Sequence, residues 1–251
     1  MNDKTAPDKT NDSANDKIRI VLATHNEGKL PEVISILKEK LGEKADRIEL
    51  VTAGSLNLPD PVEDGTTFSE NALIKARFVA RRTGLPALAD DSGLIADVMG
   101  AAPGILSSRW AGKHGDDEAN NKLLLSQLED IPDDKRTARF RCAAALAVPA
   151  KKAGSAGSAG SAEFDAAEFD IDWQAVETGE MPGRIIRSER GENGFGYDPI
   201  FVPDEQEAAK NSDADISEYL TSAQLSSEQK NAISHRGKAV RAIAEHVGKL
   251  L

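Results

Sequence analysis

Two adjacent carboxylates, Asp90 and Asp91, stand in the run Leu85-Pro86-Ala87-Leu88-Ala89-Asp90-Asp91-Ser92-Gly93. Placed at the end of an apolar strand, such a pair can divide labour. One carboxylate faces Mg²⁺, and the other, held ionised by a cation and hydrogen bonds, orients or deprotonates a water. A phosphoanhydride hydrolase needs that chemistry. The same Asp-Asp-Ser-Gly also suits a turn whose Asp side chains cap backbone amides. Upstream, Glu70, Asn71 and Lys75 are polar beside an apolar stripe, with Asn71 and Lys75 four apart on one helical face. Their plain alternative is a solvated face.

Three other segments carry candidate ligands. Thr24-His25-Asn26-Glu27-Gly28-Lys29 falls where a strand gives way to a helix. Free N–H groups and the positive end of the helix dipole suit a polyphosphate there, and Lys29 adds a full charge. The spacing is not that of a GxxxxGKS/T loop, so a P-loop kinase or ATPase is not supported. The turn Gly191-Glu192-Asn193-Gly194-Phe195-Gly196-Tyr197-Asp198-Pro199 holds two aromatics in a chain only 4% aromatic, which calls for a reason: base stacking or, favoured on this segment alone, anchoring in the core. Lys230 and Ser234-His235-Arg236-Gly237-Lys238 put cations at a helix start, where the dipole prefers acids. A ligand explains them better: Arg236 offers a planar fork of donors and His235 a ring nitrogen. The four histidines, His25, His114, His235 and His246, have no zinc spacing.

The elements that must position these residues alternate. Ile18–Ala23 reads as a strand, and Leu30, Val33, Ile34, Leu37 and Leu41 recur at helical spacing after Gly28. Thr67-Phe68-Ser69-Glu70 fits a capping box, which predicts a helix from Thr67 to the Gly84-Leu85-Pro86 stop. Leu85–Ala89 predicts a strand ending at the two aspartates, Leu123–Leu128 a helix, Ala138–Ala144 a half-buried strand, and Val240–Leu250 a final helix. Interleaving of this kind implies an α/β sheet with helices packed on it.

Composition sets the frame. The 251 residues carry a net charge of −11, with 39% hydrophobic residues. Acidic stretches near 163–172 and 204–218 hold most of that charge, so the remainder can form a basic pocket for a small anion. Net acidity argues against nucleic acid as a partner, and no run of about 18 apolar residues supports a membrane span. Residues 1–17 read as a disordered tail without a signal-peptide core. Residues 18–251 read as a single domain with flexible acidic insertions at about 151–172 and 204–224. The single cysteine, Cys142, excludes an intramolecular disulfide and fits a reducing, cytoplasmic location.

Together the segments LATHNEGKLPEV, FSENALIKARFVARRTGLPALADDSGLIADVMGAAPGILSSRWAG, RFRCAAAL, GENGFGYDPIFVP and ISHRGKAV resemble the HAM1/inosine triphosphate pyrophosphatase family, in the family's order from about Val21 to Arg241. The resemblance implies a Mg²⁺-dependent enzyme that hydrolyses ITP, XTP and their deoxy forms to the monophosphate and pyrophosphate. It implies a long mixed sheet flanked by helices, two lobes with the nucleotide cleft between them, and a homodimer. By the same resemblance Asp91 is proton acceptor and Mg²⁺ ligand, Thr24 to Lys29 holds triphosphate, and Ser92 touches substrate. Phe195, Gly196, Tyr197 and Asp198 serve base and sugar, with Lys230, His235 and Arg236 completing the contacts. Asp90 and Lys75 join Asp91 as catalytic candidates. Two positions depart from the pattern. His25 stands where many members have Gly, and Val62 stands where a further Mg²⁺ carboxylate is usual, which puts forward Glu63 or Asp64 beside it, Glu63 first. A Maf-like pyrophosphatase and a nucleotide-binding module without turnover are the competing readings.

Overall fold

The β-branched run Ile18–Leu22 forms the strand β1, and the helical pattern after Gly28 forms α1, Lys29–Leu41, as expected. The computed structural model describes residues 17–150, 169–206 and 219–251. In chain order there follow β2 (Ile48–Thr52), α2 (Phe68–Thr83), β3 (Ala87–Ala96), α3 (Asp117–Gln127), β4 (Thr137–Pro149), β5 (Ile171–Ile185), β6 (Phe201–Pro203), α4 (Ser227–Ile233) and α5 (His235–Val247). The strands make one six-stranded sheet in the order β2-β1-β3-β4-β5-β6. β1 is parallel to β2 and β3, and the remaining pairings are antiparallel, so the sheet is mixed.

The predicted capping box is present: Thr67 accepts from Glu70 N–H while Glu70 accepts from Thr67 N–H, fixing where α2 starts. Two boundaries differ from expectation. β3 does not stop at Ala89 but continues through Asp90-Asp91-Ser92-Gly93 to Ala96, paired throughout with β4. Asp, Ser and Gly disfavour strands locally, and ladder pairing overrides that preference. The last helix begins at His235, not Val240, because the Ser234 hydroxyl accepts from Gly237 N–H and caps it there.

Three apolar clusters hold the elements. One packs α1 and α5 on one face of the sheet around Leu22, Leu88, Ala144 and Ile243. A second packs α2 on the other face around Ala72, Ala76, Ala89 and Ala145. The third lies at the far end of the sheet, where Leu124, Phe140, Met181 and Phe201 meet. The long strands β4 and β5 run through both ends, giving two lobes on one sheet. Ala143, Ala144, Ala145 and Ala147 of β4 are all fully buried, and their small side chains let helices approach from both faces.

Residues 1–16, 151–168 and 207–218, which contain most of the predicted tail and acidic insertions, lie outside the described residues. At the edges of those stretches Ile171 and Asp172 open β5, and Thr221, Ser222 and Ala223 are buried. No helix among the described residues is long and apolar enough to cross a membrane.

Gly179 of β5 fixes how closely α5 sits on the sheet. A Cβ there would meet the His235 carbonyl and come within 2.6 Å of Ala239 N, both helix backbone. Gly179→Ala must therefore push the start of α5 outward, a loss of about 1–3 kcal/mol, the range for overpacking. An unfolding free energy from urea titration that drops by that amount is the expected result; an unchanged value shows that the seat is soft.

Candidate active site

β1 and β3 are parallel, with Leu22 beside Leu88. Ala23 N–H still donates to the Leu88 carbonyl at 2.7 Å. Beyond it β1 turns away into Thr24–Gly28 while β3 runs on, so the loop and the two aspartates are neighbours by register. Side chains along β3 alternate between faces. Leu88 packs with α1 and α5, and Ala87 and Ala89 pack with α2. Asp90 and Ser92 therefore share the α1/α5 face, and Asp91 shares the α2 face.

On the first face, Lys29 Nζ donates to Asp90 at 2.9 Å and Arg236 Nε donates to it at 3.0 Å, with Glu32 3.8 Å from the Arg236 guanidinium. Burial alone would raise the Asp90 carboxyl, but Lys29 and Arg236 outweigh it and hold the group far below the usual carboxylate range. Burial likewise opposes the Arg236 charge, and Asp90 leads the groups that push its pKa up instead. Asp90 and Arg236 both stay charged.

On the second face, Lys75 Nζ lies 2.9 Å from Asp91 Oδ1 and 3.1 Å from Glu63 Oε1, and Asn71 donates weakly to Asp91 at 3.4 Å. Burial, with Glu63 adding to it, raises the Asp91 carboxyl above its ordinary value despite Lys75. Burial works against the Lys75 charge, but Asp91 and Glu63 raise its pKa. Two carboxylates meeting at one cationic nitrogen form a donor set that suits Mg²⁺, which takes one or two protein carboxylates and completes its shell with phosphate and water. Val62 is 81% exposed and points elsewhere, so Glu63 is the acid this loop brings to Asp91. The two aspartates, expected to divide labour, do have separate partners. They face opposite sides of the strand, and both oxygens of Asp90 are taken by cations.

The Thr24–Lys29 turn also departs from the simple picture. It satisfies two of its own amides, Asn26 N–H on the Thr24 hydroxyl at 3.1 Å and Gly28 N–H on Asn26 Oδ1 at 2.9 Å. His25 does not face the aspartates: its ring nitrogens meet the Leu58 carbonyl at 2.7 Å and Asp60 at 2.8 Å. Glu27 accepts from the Thr52 hydroxyl at 2.5 Å. Lys29 is the residue of this turn whose side chain reaches β3.

Beside Ser92 opens a cavity of about 630 Å³, walled by Ser92, Phe140, the 193–198 turn, Lys230, His235 and Arg236. The two aromatics of the turn have separate fates. Tyr197 is the core anchor, 3% exposed, with its hydroxyl donating to the Ser107 carbonyl at 2.9 Å. Phe195 is 64% exposed at the cavity, with Lys230 Nζ 5.0 Å and the Arg236 guanidinium 5.9 Å from its ring centre. Asp198 accepts from Phe195 N–H at 2.9 Å and from Lys230 at 2.5 Å. Gly194 adopts φ +83 with Asp198 pressed against its Cα, so a side chain does not fit there. His235 is buried, stacks on Phe140 at 4.9 Å, and has no hydrogen-bond partner for Nδ1. Burial, then Arg236 and Lys230, pull its pKa well down, which leaves a neutral ring.

The sequence reading missed Glu32, Ser107, Asp117 and Asn121, all of which touch these groups. The available signal was a pair of asparagines, Asn120 and Asn121, separated only by Lys122 from the apolar run of α3; both are nearly fully buried.

Comparisons with known proteins agree with this geometry. The Ham1 family model matches residues 20–246. A protein of Bifidobacterium longum subsp. infantis named dITP/XTP pyrophosphatase is 60% identical, over 93% of this chain and all of its own length. A protein of the same name from Streptomyces avermitilis is 46% identical, over 93% of this chain and 98% of its own. Among solved structures, a HAM1 protein from Coxiella burnetii superposes with a TM-score of 0.70 at 37% identity, over 92% of this chain and 99% of that one. Match length, identity and fold point the same way: the chain belongs to the Ham1 family.

Proposed function

We infer that the protein hydrolyses non-standard purine nucleoside triphosphates, dITP, ITP and XTP, to the monophosphate and pyrophosphate, removing them from the nucleotide pool. The observation that carries this reading is the pairing of a cavity roomy enough for a small molecule such as a nucleoside, with an exposed aromatic at its side, and two carboxylate–cation clusters on the strand that borders it. The names of the relatives support the substrate class.

Asp91 and Glu63 would hold Mg²⁺, which supplies positive charge to the phosphoryl oxygens when bound. Asp91 is also placed to take the proton of the attacking water. The water oxygen bonds to phosphorus, the α–β anhydride bond breaks, and its electron pair leaves with pyrophosphate. Lys75 and Lys29 offset the charge that develops on that leaving group. Asp90 acts through others, keeping Lys29 and Arg236 aimed at the junction of loop and strand. Phe195 offers a stacking face to the base. His235 and Arg236 supply donors toward a 6-oxo group; adenine carries an amino group there and leaves a buried donor unpaired. Ser92, Lys230 and Asp198 complete the walls on the ribose side, while Thr24, Asn26, Gly28 and Lys29 receive triphosphate. We further place the enzyme as a homodimer in the cytoplasm, in keeping with its one buried free thiol.

Steady-state pyrophosphate release with dITP, ITP, XTP, GTP and ATP tests the reading. Turnover of the first three should exceed that of ATP by at least about a hundredfold, the scale of an unmet buried hydrogen bond. Binding of dITP with Mg²⁺ but without pyrophosphate release identifies a binding module instead. Asp91→Asn should abolish turnover and leave nucleotide affinity within a few fold. In the metal-free parent the Asp91 carboxyl should titrate above its ordinary value, a shift that Mg²⁺ binding should reverse. Asp90→Asn behaves differently. It strips the buried partner from two cations, which costs about 3–5 kcal/mol of stability. Since the folded-state pKa of Asp90 is depressed, its contribution is full above the unfolded pKa of about 3.9 and shrinks as pH falls below it. The gap between the denaturant melts of parent and variant should therefore narrow as pH falls below that value.

A further inference from the structure

We propose that Asp117 and Asn121, one turn apart on α3, are positioning residues that fix the Phe195 ring by gripping Gly196 through its backbone. Asp117 Oδ2 accepts from Gly196 N–H at 2.6 Å, and Asn121 Nδ2 donates to the Gly196 carbonyl at 3.0 Å. Gly196 has no side chain and adopts φ +62, so its amide and carbonyl are the handles it offers. Its neighbours are the exposed Phe195 and the buried Tyr197. The adjacent Asn120 performs the same service for the opposite wall, accepting from Ala111 N–H at 2.7 Å and donating to the Ser108 carbonyl at 3.3 Å. One helix thus ties together two loops that border the cavity, Ser107–Ser108 and Asn193–Asp198.

Burial makes the arrangement more than incidental. Asn120 is 2% and Asn121 3% exposed, at places where a helix packed on a protein core ordinarily carries an apolar side chain. Burying an amide is unfavourable unless its hydrogen bonds are made; here Asn120 through both its groups and Asn121 through Nδ2 bond loop backbone, while Asn121 Oδ1 is buried without a partner. The turn they hold contains glycines at 191, 194 and 196, all with positive φ, and so has much conformational freedom to lose. An aromatic ring on such a turn, left free, must be ordered when the base arrives. Held beforehand, it meets the base without that entropic cost. The inference rests on the nucleotide reading above for the identity of what Phe195 receives.

The test compares the two halves of the substrate through its products. Asn121→Ala and Asp117→Ala should raise the KM for dITP and the inhibition constant of dIMP about tenfold, as loss of a hydrogen bond worth about 1.4 kcal/mol predicts. The inhibition constant of pyrophosphate should stay within about twofold. Asn121→Asp, which sets an acceptor against the carbonyl, should be at least as damaging, and Asp117→Asn, which keeps an acceptor, should recover part of the loss. Equal changes for dIMP and pyrophosphate mean a general structural role and overturn the proposal, as does no change for either. Hydrogen exchange of the 193–198 amides supplies a readout that needs no activity. It should speed up in Asn121→Ala while exchange in β3 stays as in the parent, and unchanged protection of the turn refutes the clamp even if the parent fails to cleave dITP. Failure of the parent on every triphosphate, with the turn loosened as described, removes the nucleotide reading and leaves the clamp standing.

Discussion

The two-residue period of a β-strand governs this site. Because Asp90 and Asp91 are adjacent in β3, a strand that continues through them must send them to opposite faces. Each face is covered by its own helices, so each carboxylate has its own cations: Lys29 and Arg236 from α1 and α5 for Asp90, and Lys75 from α2 for Asp91. A turn at these residues, the structure their local preferences favour, would have allowed both acids to share one partner. Pairing with β4 from Ala87 to Ala96 removes that option.

This division requires helices close to the sheet, and the neighbouring strands are built for it. The alanines of β4 and Gly179 of β5 leave room for helix backbone where larger side chains would hold it off. A close α5 brings Arg236 within 3.0 Å of a carboxylate on a strand two ladders away from β5. Buried charge of this kind gives little net stability, since desolvation consumes most of the attraction. Its effect is on geometry: removing any one member leaves another buried and unpaired, so the cluster holds together as a set.

Much of the scaffold is legible in the sequence because its signals are local. The Thr67/Glu70 box, the apolar spacing of α1 and the β-branched β1 each report on a few consecutive residues. The cluster of candidate residues is legible too, as residue types suited to a triphosphate. What escapes is whatever depends on partners distant in the chain. The passage of β3 through Asp-Asp-Ser-Gly is decided by β4 some fifty residues later. His25 and Glu27 look like phosphate-loop residues, but acceptors and donors on the 52–60 segment claim their side chains. Phe195 and Tyr197 are both aromatic on one turn, and their separation into exposed platform and core anchor follows from the Ser107 carbonyl, which local sequence does not announce.

The charges on the two faces explain why one strand needs both arrangements. On the α1/α5 face Asp90 and Glu32 offset Lys29 and Arg236, so that side is close to neutral while still presenting two cations to an incoming anion. Asp90 bonds both cations and so holds them together near the end of β1. On the α2 face Asp91 and Glu63 exceed Lys75 by one negative charge, which favours a dication and disfavours bare phosphate. A magnesium-bound triphosphate carries both kinds of partner at once, metal and free phosphoryl oxygens. A strand that separates the sites by a single residue can engage them together, whereas either half of the ligand alone meets only one complementary face. The strand's alternation thus sets side by side the two faces that the proposed metal-loaded substrate would need, before any catalytic step begins.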